Sequence, residues 1–358
     1  MAAKKRLKIG ILFGGRSVEH EVSVVSAQAV MEALDTDRFQ ALPIGVTKQG
    51  TWLTIPDTER ALARIRSEQL RSLDEPLGEG VLHRTQALGS LRRVDVAFPL
   101  IHGTNGEDGS LQGLLELVDI PYVGAGVTAS ALGMDKALQK DIFRHHGFPI
   151  AEAIVVKASR WRDDPVAAAR EAEAAVPYPA FVKPVNSGSS IGTSKVRSRE
   201  DMDAALEDAF QYDRRAIVEP AIEGREVEVA VLGNDEPEAS PVGEITYDGE
   251  FYDYHAKYED PNTRLHIPAD IPPEVAEEAR AMALAAFESI DCAGLARVDF
   301  FLTPDGRLVL NEVNTIPGFT PMSMYPKLWE HAGLSYSDLI TRLIELALER
   351  HEEKRRCA

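Results

Sequence analysis

The residues best suited to chemistry cluster near the C-terminal end of the chain, in Arg297-Val298-Asp299 and, after a short turn, Asn311-Glu312-Val313-Asn314. Leu295 to Leu302 and Arg307 to Val313 read as strands. Thr303-Pro304-Asp305-Gly306 between them is turn chemistry, proline fixing φ and glycine relieving strain. With Pro304 and Asp305 central in that turn, Arg297 is expected opposite Glu312 and Asp299 opposite Leu310. Alternation then sends Arg297, Asp299, Glu312 and Asn314 to one face and Val298, Phe300, Val309 and Val313 into a core. Like charges this close repel by roughly 4 kcal/mol at 4 Å for an effective dielectric near 20, so a cation is expected among them. Arg297 could supply it, as surface hairpins often carry ion pairs of little consequence. The alternative is magnesium, which takes carboxylates and amide oxygens and completes its shell with water and phosphate oxygens. Asn314 favours the metal, because an amide adds nothing to an ion pair, and Ile316-Pro317-Gly318 suits a backbone that approaches a ligand closely.

Three other stretches carry glycine-rich or aromatic chemistry. Val182-Lys183-Pro184 ends a strand and opens Val185 to Gly192, whose glycines and serines could curl around a phosphate with Lys183 at the base; no Gly-Lys-Ser/Thr closes it, so it is no Walker loop. His102 to Gly109 follows an apolar strand and precedes a helix, which places a substrate loop at the carboxyl edge of a sheet; His102 there is either a contact residue or structural. Tyr247 to Pro268 fits neither helical nor strand period and interleaves Phe251, Tyr252, Tyr254 and Tyr258 with charges, the character of a lid or binding loop. Gly124 to Ala129 matches a dinucleotide fingerprint, but no acidic residue about twenty positions on would read a ribose.

The elements that must position these residues alternate in type. Leu7 to Phe13 is an apolar strand, and Ser17 to Leu34 follows with helical periodicity, Val18, Val22, Val25, Ala29, Met31 and Leu34 on one stripe. Ala41 to Val46 and Val94 to Leu100 are further strands, a helix runs from Ser110 to Val118, and Leu62 to Leu88 is charged and irregular. Such alternation predicts a parallel sheet with helices on both faces. Beyond Gly126 come a helical stretch from Ala129 to His146, strand Ile154 to Lys157, helix Pro165 to Ala175, strand Ala180 to Pro184, helix Arg199 to Phe210 and strand Ala216 to Glu219. Strands Arg225 to Leu232 and Pro241 to Thr246, helix Glu274 to Ser289, the hairpin and a helix from Ser335 to Glu353 complete the chain, with a frayed tail expected after Glu349.

A length of 358 residues corresponds to about two to three domains. The net charge of −18 argues against nucleic acid and anionic membrane as partners. Cys292 and Cys357 show no metal or redox spacing, which fits a reducing compartment. Lys4, Lys5 and Arg6 before Ile9 to Phe13 imitate a signal peptide, but the run is short and passes into Glu19-His20-Glu21, so it is read as a first strand. No segment is long and apolar enough to span a bilayer, and the cytoplasm is the expected location.

Taken in order, Gly14-Gly15-Arg16-Ser17-Val18-Glu19-His20-Glu21-Val22-Ser23, His102 to Gly109, Met134-Asp135-Lys136, Val182 to Gly192, Tyr252-Asp253-Tyr254-His255-Ala256-Lys257-Tyr258, Arg297-Val298-Asp299 and Asn311 to Gly318 resemble the D-alanine–D-alanine ligases of the ATP-grasp superfamily, from about Leu7 to Glu349. The resemblance implies an α/β and α+β architecture: a three-layer, Rossmann-like α/β substrate domain over 1–125, a central ATP-grasp lid domain over 126–219 and a C-terminal catalytic domain over 220–358. It implies ATP-driven joining of two D-alanines through a D-alanyl phosphate, for peptidoglycan precursors, by a homodimer.

The site residues it implies are numerous. Lys136 and Lys183 would hold the α and β phosphates and Lys257 the γ phosphate. Glu219 and Glu226 would bond adenine and ribose, with Phe181 and Phe301 sandwiching the base. Asp299, Glu312 and Asn314 would hold two magnesium ions, or manganese, with Glu312 bridging. Glu19 would bind the ammonium of the first D-alanine and couple to Ser189 and Tyr258. Arg297 and the Gly318 N–H would form an oxyanion site, and Ser323 with Lys257 would bind the second carboxylate. The chain departs from some members at Pro220, where they carry a lysine beside the adenine. Rival readings are a D-alanine–D-lactate ligase, against which Tyr258 speaks, a nicotinamide oxidoreductase resting on Gly124 to Ala129, and a non-catalytic nucleotide-binding module.

Overall fold

The computed structural model describes residues 6–68, 70–73, 89–247 and 262–357, and three sheets organise them. In the first, β1 (Leu7–Gly14) lies between β2 (Phe39–Val46) and β3 (Val96–Pro99), all parallel. Ile9, Ile11, Leu12 and Phe13 are fully buried, as a continuous apolar run must be when both faces of a strand are covered. Helices α1 (His20–Ala33), α2 (Ile55–Glu68) and α3 (Ser110–Leu117) accompany this sheet. The α1 stripe differs from the expected one: His20, Ser23, Val24, Ala27 and Val30 are buried, while Val18 and Val25 are exposed. Hydroxyls made this face hard to read, because Ser23 is satisfied inside, donating to the Leu100 carbonyl and accepting from the Gly14 N–H at 2.8 Å. The expected irregular stretch from Leu62 begins instead as the end of α2, with Leu62 and Ile65 buried; positions 74–88 fall outside the described residues.

The helical stretch after Gly126 is two helices, α4 (Val127–Met134) and α5 (Lys136–His145), rather than one. Asp135 separates them in an extended conformation and caps α5, its carboxylate accepting from the Leu138 N–H at 3.0 Å, the usual use of an aspartate at a helix start. The second sheet is antiparallel, in the order β4-β7-β5-β6, from β4 (Ile154–Lys157), β5 (Ala180–Pro184), β6 (Ser194–Val196) and β7 (Arg215–Pro220). Helices α6 (Ala158–Asp163), α7 (Pro165–Ala175) and α8 (Arg199–Ala209) go with it, their alanine-rich faces closing a core with Val182 and Val218.

The third sheet has the order β10-β9-β8-β11-β12, all antiparallel: β8 (Arg225–Gly233), β9 (Glu238–Thr246), β10 (Arg264–His266), β11 (Gly294–Leu302) and β12 (Leu308–Asn314). Helix α9 (Pro273–Ser289) supplies Ala279, Ala283 and Phe287 to a core with Val227, Val229, Val298 and Phe300. Helices α10 (Met324–His331) and α11 (Tyr336–Arg356) share another core with Leu295 and with the first sheet. The tail expected to fray is helical to Arg356. Arg350 donates to the carbonyls of Tyr122, at 3.1 Å, and Gly124, Lys354 pairs with Glu116, and Arg355 pairs with Asp119 at 3.1 Å. Basic residues in a last helical turn also suit the helix dipole.

The β11–β12 register corrects the sequence reading twice. Thr303 and Arg307 close the turn by a backbone bond of 2.9 Å with Gly306 at φ +84°, so the connection holds one residue more than expected and Leu302 pairs with Leu308. A β-bulge then skips Asn311, so that Asp299 faces Glu312 and Arg297 faces Asn314. The turn alone would set Asn311 and Val313 opposite Asp299 and Arg297; the extra residue restores the acidic one. Between the two irregularities the alternation is inverted, which buries Leu308 and Leu310 and leaves Val309 on the face of Phe301 rather than in the core.

Candidate active site

Every described candidate residue lines one cavity of about 1570 Å³, fed by strands of the second and third sheets and by the segments that follow β1 and β3 of the first. Lys257 and Tyr258 lie outside the described residues.

At one end stands Glu219 of β7, buried and held by two lysines. Lys183 of β5 reaches one carboxylate oxygen at 2.5 Å, and Lys140 of α5 reaches the other at 2.9 Å. Burial alone would raise the pKa of this carboxyl. The charges of Lys140 and Lys183 outweigh it and bring the pKa down to about 2. Burial would likewise lower the Lys183 pKa, but Glu219 reverses the sign and it is raised. The Lys183 ammonium also stands 5.5 Å from the centre of the Phe181 ring. Glu226, on β8, accepts from the Tyr247 hydroxyl at 2.6 Å and pairs across the sheet with Phe301.

The hairpin forms a second end of the cavity wall. Arg297 is bidentate to Asp299, at 2.7 and 2.6 Å, and its Nε lies 3.1 Å from Glu228 on β8. Glu228, Asp299 and Glu312 form a row of carboxylates across three neighbouring strands. The Asn314 side-chain oxygen accepts from the Ile316 N–H at 3.1 Å, starting the turn that leads to Gly318. Asp299, Glu312 and Asn314 thus present hard oxygen donors from facing positions, a set that fits magnesium or manganese.

The third end joins Glu19, which precedes α1 and is buried, to the phosphate-type loop and the start of α10. A Cβ placed on Gly188 would lie 3.5 Å from the Glu19 carboxylate, which puts the loop against it. Ser189 and Ser190 take left-handed backbone conformations there, Ser187 donates to the Ile191 carbonyl at 3.1 Å, and Lys136 donates to the Ser187 carbonyl. Ser323 stands at the N-cap of α10, its hydroxyl within 2.9 Å of the Thr320 hydroxyl, and a Cβ on Gly318 would come within 3.1 Å of it. His102 is buried with Nδ1 3.3 Å from Glu107 and 3.2 Å from the Ile316 carbonyl. Burial would lower its pKa, but the bond to Glu107 and the charges of Glu19 and Glu107 raise it.

Sequence reading missed two residues of this constellation. Lys140 lies four positions after Lys136, on the same helix face, and Glu228 lies two after Glu226, on the same strand face; those periodicities were the available signal. The dinucleotide-like loop is packed into the fold at its first glycine: a Cβ on Gly294 would come 3.1 Å from the Gly124 backbone, and the Gly124 carbonyl is taken by Arg350.

A family model described as D-ala D-ala ligase N-terminus matches residues 8–125, and one described as D-ala D-ala ligase C-terminus matches residues 142–345. The chain belongs to the D-alanine–D-alanine ligase family. It is 49% identical to the D-alanine–D-alanine ligase of Geobacillus kaustophilus, over 98% of this chain and 96% of that one. It is 52% identical to the D-alanine–D-alanine ligase of Deinococcus radiodurans, over 96% and 98% respectively. Its fold matches the D-alanine–D-alanine ligase of Coxiella burnetii with a TM-score of 0.81 at 37% identity, covering 99% of this chain and 97% of that one. The VanG D-Ala:D-Ser ligase of Enterococcus faecalis gives 0.80 at 38% identity, covering 96% and 100%. The ligase therefore has the ATP-grasp fold expected from its motifs.

Proposed function

We propose that this cavity joins two D-alanines into D-alanyl-D-alanine at the expense of ATP, through a D-alanyl phosphate, for peptidoglycan precursors. The observation that carries the reading is the pairing of Asp299 with Glu312 and of Arg297 with Asn314 on one cavity face. Asp299, Glu312 and Asn314 would hold two magnesium ions, or manganese, which when bound would neutralise charge on the transferred phosphoryl.

The chain's own residues would do the rest by position and charge. Phe181 and Phe301 would enclose the adenine, Glu219 would accept from its amino group and Glu226 would bond the ribose. Lys136, Lys183 and Lys257 would line the phosphates. Glu19 would hold the ammonium of the first D-alanine, oriented with Ser189 and Tyr258. Arg297 and the Gly318 N–H would take the charge that develops on the carbonyl oxygen as the second amine attacks. Ser323, with Lys257, would bind the second carboxylate at the N-terminus of α10, where the helix dipole favours an anion. We take 1–125, 126–219 and 220–358 as the working domains, a homodimer as the assembly and the cytoplasm, where ATP is at hand, as the location.

The decisive experiment is phosphate release from ATP with D-alanine, L-alanine, D-serine and D-lactate as acceptors, with product analysis. Release that requires D-alanine, fails with L-alanine and yields the dipeptide is expected. A dominant ester would move the acceptor to D-lactate, a dominant seryl product to D-serine, and ATP binding without turnover would leave only a nucleotide-binding module.

A further inference from the structure

The cluster at the adenine end contains a charge that the proposed reaction does not use. Lys140 is 6% exposed, and among the described residues its ammonium bonds Glu219, at 2.9 Å, and the Ala151 carbonyl, at 3.2 Å. Glu219 is 5% exposed, whereas Lys183, on its other oxygen, is 18% exposed and lies on the cavity wall. Two cations therefore share one carboxylate, and only Lys183 has room to turn away. A phosphate that claimed Lys183 would leave Glu219 with Lys140 alone. The remaining pair is neutral, and the oxygen that Lys183 vacates is an ionised acceptor aimed into the cavity.

We propose that Lys140 is a specificity-determining positioning residue for the purine: it holds one oxygen of Glu219 at all times, so that the other stays ionised and accepts from a 6-amino group once Lys183 moves to phosphate. This deepens the adenine role given to Glu219 above and rests on it. Without Lys140, a carboxylate as buried as Glu219, at 5% exposure, is costly to keep charged once Lys183 has left it. Either Lys183 stays on Glu219 and keeps the oxygen that the 6-amino group needs, or Glu219 takes up a proton, and in both cases the preference for the 6-amino group narrows. A protonated carboxyl donates as well as accepts and so tolerates a 6-oxo group as readily as a 6-amino group.

The test is equilibrium binding of magnesium ADP and magnesium IDP, which differ at position 6, to the wild-type protein and to Lys140→Met, Lys140→Arg, Glu219→Gln and the Lys140→Met/Glu219→Gln double variant. The wild type should prefer ADP. Lys140→Met should narrow that preference by about tenfold, about 1.4 kcal/mol, and Lys140→Arg, which keeps the charge, should restore most of it. In the double variant, which removes the buried pair together and so guards against misfolding of the single one, the preference should equal that of Glu219→Gln alone. Lys140→Met that weakens both nucleotides equally would overturn the proposal, as would a further loss of preference in the double variant. A wild type indifferent to ADP and IDP would instead remove the adenine role of Glu219 itself.

Discussion

Two charged clusters of the cavity, at the ends proposed for adenine and for the metal-bound phosphates, solve one problem with different parts. Each sets two like charges around one opposite charge, Lys140 and Lys183 on Glu219 at the proposed adenine end and Asp299 and Glu228 on Arg297 at the hairpin end, so that one positive charge is left over at the first and one negative charge at the second. In both, one partner of an ion pair is assigned to one part of the ligand and the other partner to another, so binding must separate them. The difference lies in where the groups come from. Arg297, Asp299, Glu312 and Asn314 lie within one hairpin, with Glu228 added from the neighbouring strand β8, whereas Lys140, Lys183 and Glu219 come from a helix and two strands spread over eighty residues of chain. Exposure divides each cluster rather than the two from each other: Glu219 and Lys140 are 5% and 6% exposed beside Lys183 at 18%, and Glu228 is 4% exposed beside Arg297 and Asp299 at 13% and 14%. A locally built cluster can be tuned by its turn; a cluster assembled from afar depends on the whole fold, and its charges are correspondingly costlier to disturb.

The comparison is tested most severely by Glu312→Gln. If the hairpin charges serve a bound metal rather than the fold, the rate of D-alanine-dependent phosphate release should fall at least ~10²-fold, with the unfolding midpoint nearly unmoved. Loss of stability with activity retained would make the cluster a structural ion pair and would erase the distinction between the two ends.

That same difference in origin explains what could be read from the sequence. The hairpin was legible because its residues, its turn and its strands occupy one short window. Even there the register was missed by two, since nothing in Thr303 to Arg307 distinguishes a two-residue turn from one with Gly306 left-handed, and Asn311 does not announce a bulge. The two errors cancelled in parity, so the four site residues still fell on one face. Lys140 and Glu228 were not found, because their spacing from Lys136 and Glu226 marks a shared face but not burial, which for a lysine or glutamate depends on a partner that the fold brings from elsewhere. The α1 face was misread for a related reason: Ser23 is polar in the sequence and satisfied in the fold. Asp135 was seen as part of a motif but not as the break between two helices.

A smaller effect is expected at the adenine end, in stability against pH. The folded pKa of Glu219, about 2, lies below the ordinary glutamate value of about 4.3. Its pairing therefore stabilises the fold fully above that ordinary value and loses this contribution as pH falls toward the folded value. Glu219→Gln should be clearly less stable than the wild type from pH 5 to 8 in denaturant titrations, and the gap should close between about pH 4 and pH 2. A gap that persists unchanged at the acid end would mean that Glu219 contributes by packing, and the parallel between the two ends would fail.

The smallest effect belongs to the turn that sets the hairpin. Gly306 has φ +84°, and a Cβ there would meet nothing within 4 Å, so Gly306→Ala carries backbone strain and no clash. The strain of an L-residue in that conformation is about 1 kcal/mol. The unfolding free energy should drop by that amount while the rate of ligation and its dependence on magnesium stay as in the wild type, because the register is also pinned by burial of Leu308 and Leu310 and by the bulge at Asn311. Should the magnesium dependence shift instead, the turn would be setting the spacing of Asp299 and Glu312 directly. The local end of the cavity would then be the more fragile of the two, the reverse of what its construction from one short segment implies.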